Sequence, residues 1–151
     1  MTAPVPADPG YERRVRASFA RQKVMALLGA SLERVAPGEV HVRLPFREEL
    51  GQQHGFFHAG VMTTIADSAC GYSALTLMPA GSAVLTTEFK VNLLAPGAGE
   101  AVVARARVLK AGRTLTVSMA EVHAVASGSE KLVAILIATN MTLQGRGDLA
   151  D

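Results

Sequence analysis

Asp67 is the one charged side chain between Ala59 and Met78, a stretch otherwise made of apolar and small residues with a few hydroxyls. Burying an unpaired carboxylate is costly or drives its pKa upward, so a chain that keeps one there has a general base or a nucleophile in hand. The blander reading is an aspartate at a solvated helix edge, or one satisfied by Thr63, Thr64 or Ser68. Seven residues earlier, Gly60 falls near the start of the same stretch. There the unpaired N–H groups of a helix end and the macrodipole favour developing negative charge, which describes an oxyanion hole. Gly55 and Gly60 also suit a tight entry from loop to helix, the commoner use of a single glycine.

His58 precedes Asp67 by nine residues. On one helix that spacing is roughly 13 Å along the axis, too far for a contact dyad. Either His58 only orients the loop, or the working site combines residues of two subunits. His54 and His58 have a His-x-x-x-His spacing, but Gly55 interrupts it and no glutamate follows the first histidine, so a zinc-protease pattern fails and no metal is expected. Cys70 has no assignable histidine partner and reads as core, and Met62, Tyr72 and Met78 read as packing. Lys90, Lys110 and Arg113 read as a solvated edge; the alternative is that they meet the phosphates of an anionic ligand.

The elements that must position these groups follow from periodicity and breakers. With 151 residues, 49% hydrophobic and 19% charged, the chain suits one folding unit with an ample apolar core. A formal net charge of +2, with basic residues scattered and not interleaved with aromatics, gives no nucleic-acid signature. The single cysteine cannot form an intrachain disulfide. The first residues lack a signal-peptide apolar core and the longest apolar run is broken by Asp67, so a cytoplasmic protein with no membrane span is expected.

Residues 1–10, with three prolines, read as a loose tail or docking arm, residues 11–143 as the folded domain, and residues 144–151 as a polar tail. Val15, Phe19, Val24, Leu27 and Leu28 recur near helical spacing from Tyr11 to Leu28, predicting one amphipathic helix or a broken pair ended by Gly29. Pro37-Gly38 then turns a hairpin whose second arm points Val40, Val42 and Leu44 inward. A long helix is predicted from His58 to Met78, closed by Pro79. Four strands follow, over 83–94, 100–109, 113–124 and 131–143, the last three as an antiparallel meander. About six strands with one apolar helix to cover them predict an α+β fold, a sheet curled round that helix.

"GFFHAGVMTTIADSACGYSA", "TTEFKVNLLAP" and "ARVLKAGRTL" together resemble the hotdog-fold thioesterases, specifically the PaaI-type acyl-CoA thioesterases associated with phenylacetate degradation. The similarity runs in element order over about residues 20–143. The family motif is Asn-x-x-Gly-x-x-His-Gly-Gly with an aspartate seven residues on. Gly55, His58, Gly60 and Asp67 match it, while Gln52 stands for the asparagine and Ala59 for the first glycine of the pair.

The resemblance implies a long helix wrapped by an antiparallel sheet, with two subunits joined edge to edge as a homodimer and often a homotetramer. It implies an acyl-CoA substrate and no cofactor. By it, the Gly60 N–H polarises the thioester carbonyl with help from the amide at Gln52 or its neighbour Gln53, and His58 holds the loop. Asp67 of the opposing subunit activates water or attacks the carbonyl, and a hydroxyl from the next strand falls at Thr86 or Thr87. Two readings of the same fold compete: an acyl-CoA-binding domain without catalysis, and an acyl-thioester hydratase.

Overall fold

The computed structural model describes residues 4–149. Two short helices, α1 (Tyr11–Arg21) and α2 (Lys23–Leu28), precede a hairpin of β1 (Ser31–Ala36) and β2 (Glu39–Pro45). A 3₁₀ turn at Glu48–Leu50 leads through a loop to the long helix α3 (Ala59–Leu75). Strands β3 (Ala83–Leu93), β4 (Ala101–Ala111), β5 (Leu115–Ala126) and β6 (Ser129–Leu143) complete the chain.

The first helical segment is a broken pair. Gln22 takes an extended ψ of 97° between α1 and α2, and its side-chain oxygen accepts a hydrogen bond from Ser68 on α3. Gly29 ends α2 in the left-handed region at φ 79°, its N–H returning to the carbonyls of Met25 and Ala26, as a helix C-terminal glycine does. Gly38, at φ 73°, turns the β1–β2 hairpin, with Pro4 packed against it.

All six strands pair antiparallel in one sheet of order β1-β2-β4-β5-β6-β3. Strands β4, β5 and β6 form the expected meander, whereas β3 crosses to the far edge and pairs with β6. Helix α3 packs on every strand from β2 to β6. The inner face alternates as a half-buried sheet must, with Val40, Val42 and Leu44 on β2, Val102, Ala104 and Ala106 on β4, and Ala120 and Val122 on β5 all buried. The many alanines keep that face shallow, so the sheet closes tightly on α3, whose residues from Ile65 to Leu75 are buried apart from the half-buried Asp67.

Helix α3 stops at Leu75, three residues short of the predicted end. The Arg14 guanidinium of α1 takes the carbonyls of Leu75, Met78 and Pro79 at 3.0, 2.8 and 2.5 Å, and the final turn tightens to Leu77 N–H on Ala74 and Met78 N–H on Leu75. Among the described residues no helix is long and apolar enough to cross a membrane.

Candidate active site

The loop before α3 is organised by its own side chains. His58 is the N-cap, and its Nδ1 accepts the Gly60 N–H at 2.9 Å. The Gly60 N–H, expected from the sequence as an oxyanion donor, is engaged by this cap within the single chain. Ala59 is the first residue of the helix, and among the described residues no acceptor meets its N–H. Any Cβ on Gly60 would come within 3.1 Å of the His58 ring, so the glycine is there to admit the cap.

An open groove of about 550 Å³ lies over this helix start, walled by Gln52, Gln53, Phe56, His58, Ala59 and, from the end of β3, Leu93. Gly60 is outside its lining. Gln52 turns its side-chain oxygen back onto the His54 N–H, which leaves its amide NH₂ as the free end. Gln53 instead lies against the His54 ring at 3.4 Å. Among the described residues no three His, Cys, Asp or Glu side chains gather as a metal site.

Asp67 lies in a second, polar pocket of about 120 Å³, with Gln22, Ser68, Gly71, Tyr72 and Thr86. Burial pushes its carboxyl above the usual value, and the hydroxyl of Thr86, which donates to Oδ1 at 2.8 Å, partly offsets that rise. Thr86 therefore holds the place that the sequence left between two threonines. A bulge between Thr86 and Glu88 produces this: Thr87 is the extra residue, and its hydroxyl bonds the Thr139 carbonyl instead. Cys70, three residues on, is fully buried, and burial and Asp67 drive its thiol far above the ordinary range.

The groove and the Asp67 pocket share no residue. Ala59 and Asp67 stand eight residues, about 12 Å, apart on one helix, so a single chain does not bring them together. Nor does it bring the basic residues to the groove. Lys110 and Arg113 sit at the β4–β5 hairpin, at the sheet end near the C-terminus of α3, while the groove is at the other end. Lys90 is exposed, paired with Ile137 in the middle of the edge strand.

Residues 54–130 match the model of the thioesterase superfamily. The chain belongs to the thioesterase superfamily. Its hotdog fold is shared by a thioesterase family protein from Silicibacter pomeroyi, 52% identical over 90% of this chain and all of that one, with a TM-score of 0.89. It is similar also to a variant of the phenylacetic acid degradation protein PaaI from Thermus thermophilus, at 31% identity over 81% of this chain and all of that one, TM-score 0.70. The PaaI protein of E. coli, at 21% identity and TM-score 0.80 over 92% of this chain and 97% of that one, shares the fold.

Within this thioesterase-superfamily chain, sequence reasoning missed the Ala59 N–H, because alanine carries no signal of a functional main chain. It also missed Gln22 at the Asp67 pocket and Asn140 behind Thr86. Asn140 had a signal: it is the one carboxamide on the inward-facing positions Leu136, Ala138 and Asn140 of β6.

Proposed function

We propose that the protein is an acyl-CoA thioesterase, hydrolysing an aryl or medium-chain acyl-CoA to the free acid and CoA at sites built by two copies of the chain. One observation carries the reading. A half-buried carboxylate oriented by Thr86 and an open helix N-terminus in an apolar groove occupy one helix about 12 Å apart, and both lie beside an unpaired edge strand.

That edge is β3. Its outer side has no neighbouring strand among the described residues, and Leu85, Phe89 and Leu93 on it are about half exposed. An exposed apolar edge strand is a template for another strand, and a second copy pairing there extends the sheet and covers those side chains. Such a pairing brings Asp67 of one copy towards the groove of the other. A further doubling to a tetramer is compatible with the same edge contact.

In that site the thioester carbonyl points at the Ala59 N–H and the Gln52 amide, both donors at the positive end of α3. The opposing Asp67 takes a proton from water as the water oxygen adds to the carbonyl carbon. The oxyanion collapses, the C–S bond breaks, and the CoA thiolate leaves and takes up the proton held on Asp67. Direct attack by Asp67 through a mixed anhydride uses the same groups. A pKa raised by burial makes Asp67 a stronger proton acceptor than an ordinary carboxylate.

The test is thiol release across short-chain, medium-chain, long-chain and aryl acyl-CoAs with wild type and Asp67→Asn. Release by wild type and its loss in a folded Asp67→Asn supports the reading. Equal rates for the two proteins would sink it, and tight acyl-CoA binding without turnover would leave a binding domain.

A further inference from the structure

We infer that Asn140 is a positioning residue for Asp67, acting through the Thr86 hydroxyl; the inference rests on the thioesterase reading for its kinetic consequence but not for its geometry. Asn140 is fully buried on β6, directly across from Thr86 in the β3–β6 register. Its side-chain oxygen lies 3.3 Å from Thr86 Oγ1, which is also 2.8 Å from Asp67 Oδ1. The amide nitrogen, on the other arm, is buried without a hydrogen-bond partner.

This arrangement gives Thr86 two acceptors and one proton. A hydroxyl donates once, so two facing oxygens at 3.3 Å leave one contact unmade, while a buried NH₂ goes unused beside them. Turning the amide by half a rotation removes both faults. The nitrogen then donates to Thr86 Oγ1, whose proton is left for Asp67, and the oxygen takes the unpartnered side, where an unmade acceptor costs less than an unmade donor. The result is a directed chain: Asn140 Nδ2–H to Thr86 Oγ1, Thr86 O–H to Asp67 Oδ1.

One local feature favours it. The β3 bulge aims Thr86 inward at this point of the strand. The groups around Asp67 are Thr86 from β3, Asn140 from β6, Gln22 from the α1–α2 break, and Ser68, Cys70 and Tyr72 from α3 itself. Of these only Cys70 and Tyr72 carry ionisable groups besides Asp67, and burial holds the Cys70 thiol protonated. The orientation of Asp67 thus depends on a neutral chain of donors, and polarisation along it strengthens the last bond.

The experiment uses the full chain with Asn140→Leu, close in volume, Asn140→Ala, Thr86→Val, and the double variant Asn140→Leu/Thr86→Val. Rates with an acyl-CoA substrate are measured against pH, with a melting curve for each protein. The expected result for Asn140→Leu is a fall in kcat of about tenfold with KM unchanged, and an acid limb moved to higher pH as the carboxylate loses hydrogen-bond support. In the Thr86→Val background the Asn140 change should add no further fall in kcat. An Asn140 effect of the same size with and without the Thr86 hydroxyl, or a change in melting temperature alone, overturns the inference.

NMR titration of isotope-labelled aspartate in the substrate-free protein separates this inference from the thioesterase reading. A shift of the Asp67 titration in Asn140→Leu that disappears in Thr86→Val supports the chain of donors even if no acyl-CoA is hydrolysed. An unchanged titration overturns it even if thiol release is fast. Should Asn140→Leu not fold, Asn140→Ala is read by the same two measurements.

Discussion

Thr86 Oγ1 donates to Asp67 Oδ1 across 2.8 Å, tying the edge strand of the sheet to the middle of its central helix. The bond supports the charged form of a carboxyl that burial pushes the other way, and burial is the larger influence. The folded-state pKa of Asp67 therefore lies above its ordinary value of 3.8. Between the two values the native state holds more protons than the unfolded state, so this group's contribution to stability falls as pH rises through that window. Asp67→Asn should then be more stable than wild type at neutral pH, with the difference closing as pH drops towards 3.8. It should also lose thiol release by about a hundredfold or more. Urea midpoints at the two pH values check the first, and a wild type more stable than the variant at neutral pH would contradict the sign.

Phe89 tests the need for a second copy. It lies opposite Ala138 on the helix-facing side of β3 and is about half exposed in the single chain. Phe89→Asp puts a charge where the second copy would bury an aromatic ring, a loss of roughly 2 kcal/mol of burial per copy before the cost of the charge. The expected product is a folded monomer without thiol release, read by light scattering, circular dichroism and assay. A fully active monomer would refute the two-chain site.

His58 contributes to stability as the cap of α3. His58→Ala should cost about 1 kcal/mol, since it strips the Gly60 N–H of its acceptor. His58→Asn, a good capping residue, should recover most of that loss in a denaturant melt. If neither substitution moves the midpoint, the cap carries no stability.

Arg14 locks the other end of the same helix. Arg14→Met removes the guanidinium from the carbonyls of Leu75, Met78 and Pro79, of which Leu75 and Pro79 keep the N–H groups of Met78 and Ser82, and should cost about 2 kcal/mol. Because Arg14 lines neither pocket, kcat measured well below the melting temperature should match wild type. A change in kcat without loss of stability would place Arg14 in the site and not in the scaffold.

Local signals carried much of the fold. The alternation of Val40, Val42 and Leu44, the turn at Gly38, the end of α2 at Gly29 and the meander of β4, β5 and β6 were all legible, because each depends on residues a few positions apart. The place of β3 was not, since alternation says which face a residue occupies and not which strand lies beside it. The break at Gln22 has neither glycine nor proline to announce it; the side chain there is bonded to Ser68, 46 residues on. The early end of α3 likewise belongs to Arg14, 61 residues back from Leu75.

By itself the sequence determined the six strands, the single long helix and the presence on it of one carboxylate, because steric and hydrophobic periodicity act along the chain. Only the tertiary structure decided that Ala59 and not Gly60 has the open N–H, and that Thr86 and not Thr87 meets Asp67. It also decided that Asn140 stands behind Thr86 and that Lys110 and Arg113 are at the far end from the groove. Those outcomes turn on a ring rotation, a bulge and a strand register, and such features are set by packing between residues distant in the chain, where a shift of one position sends a side chain to the opposite face.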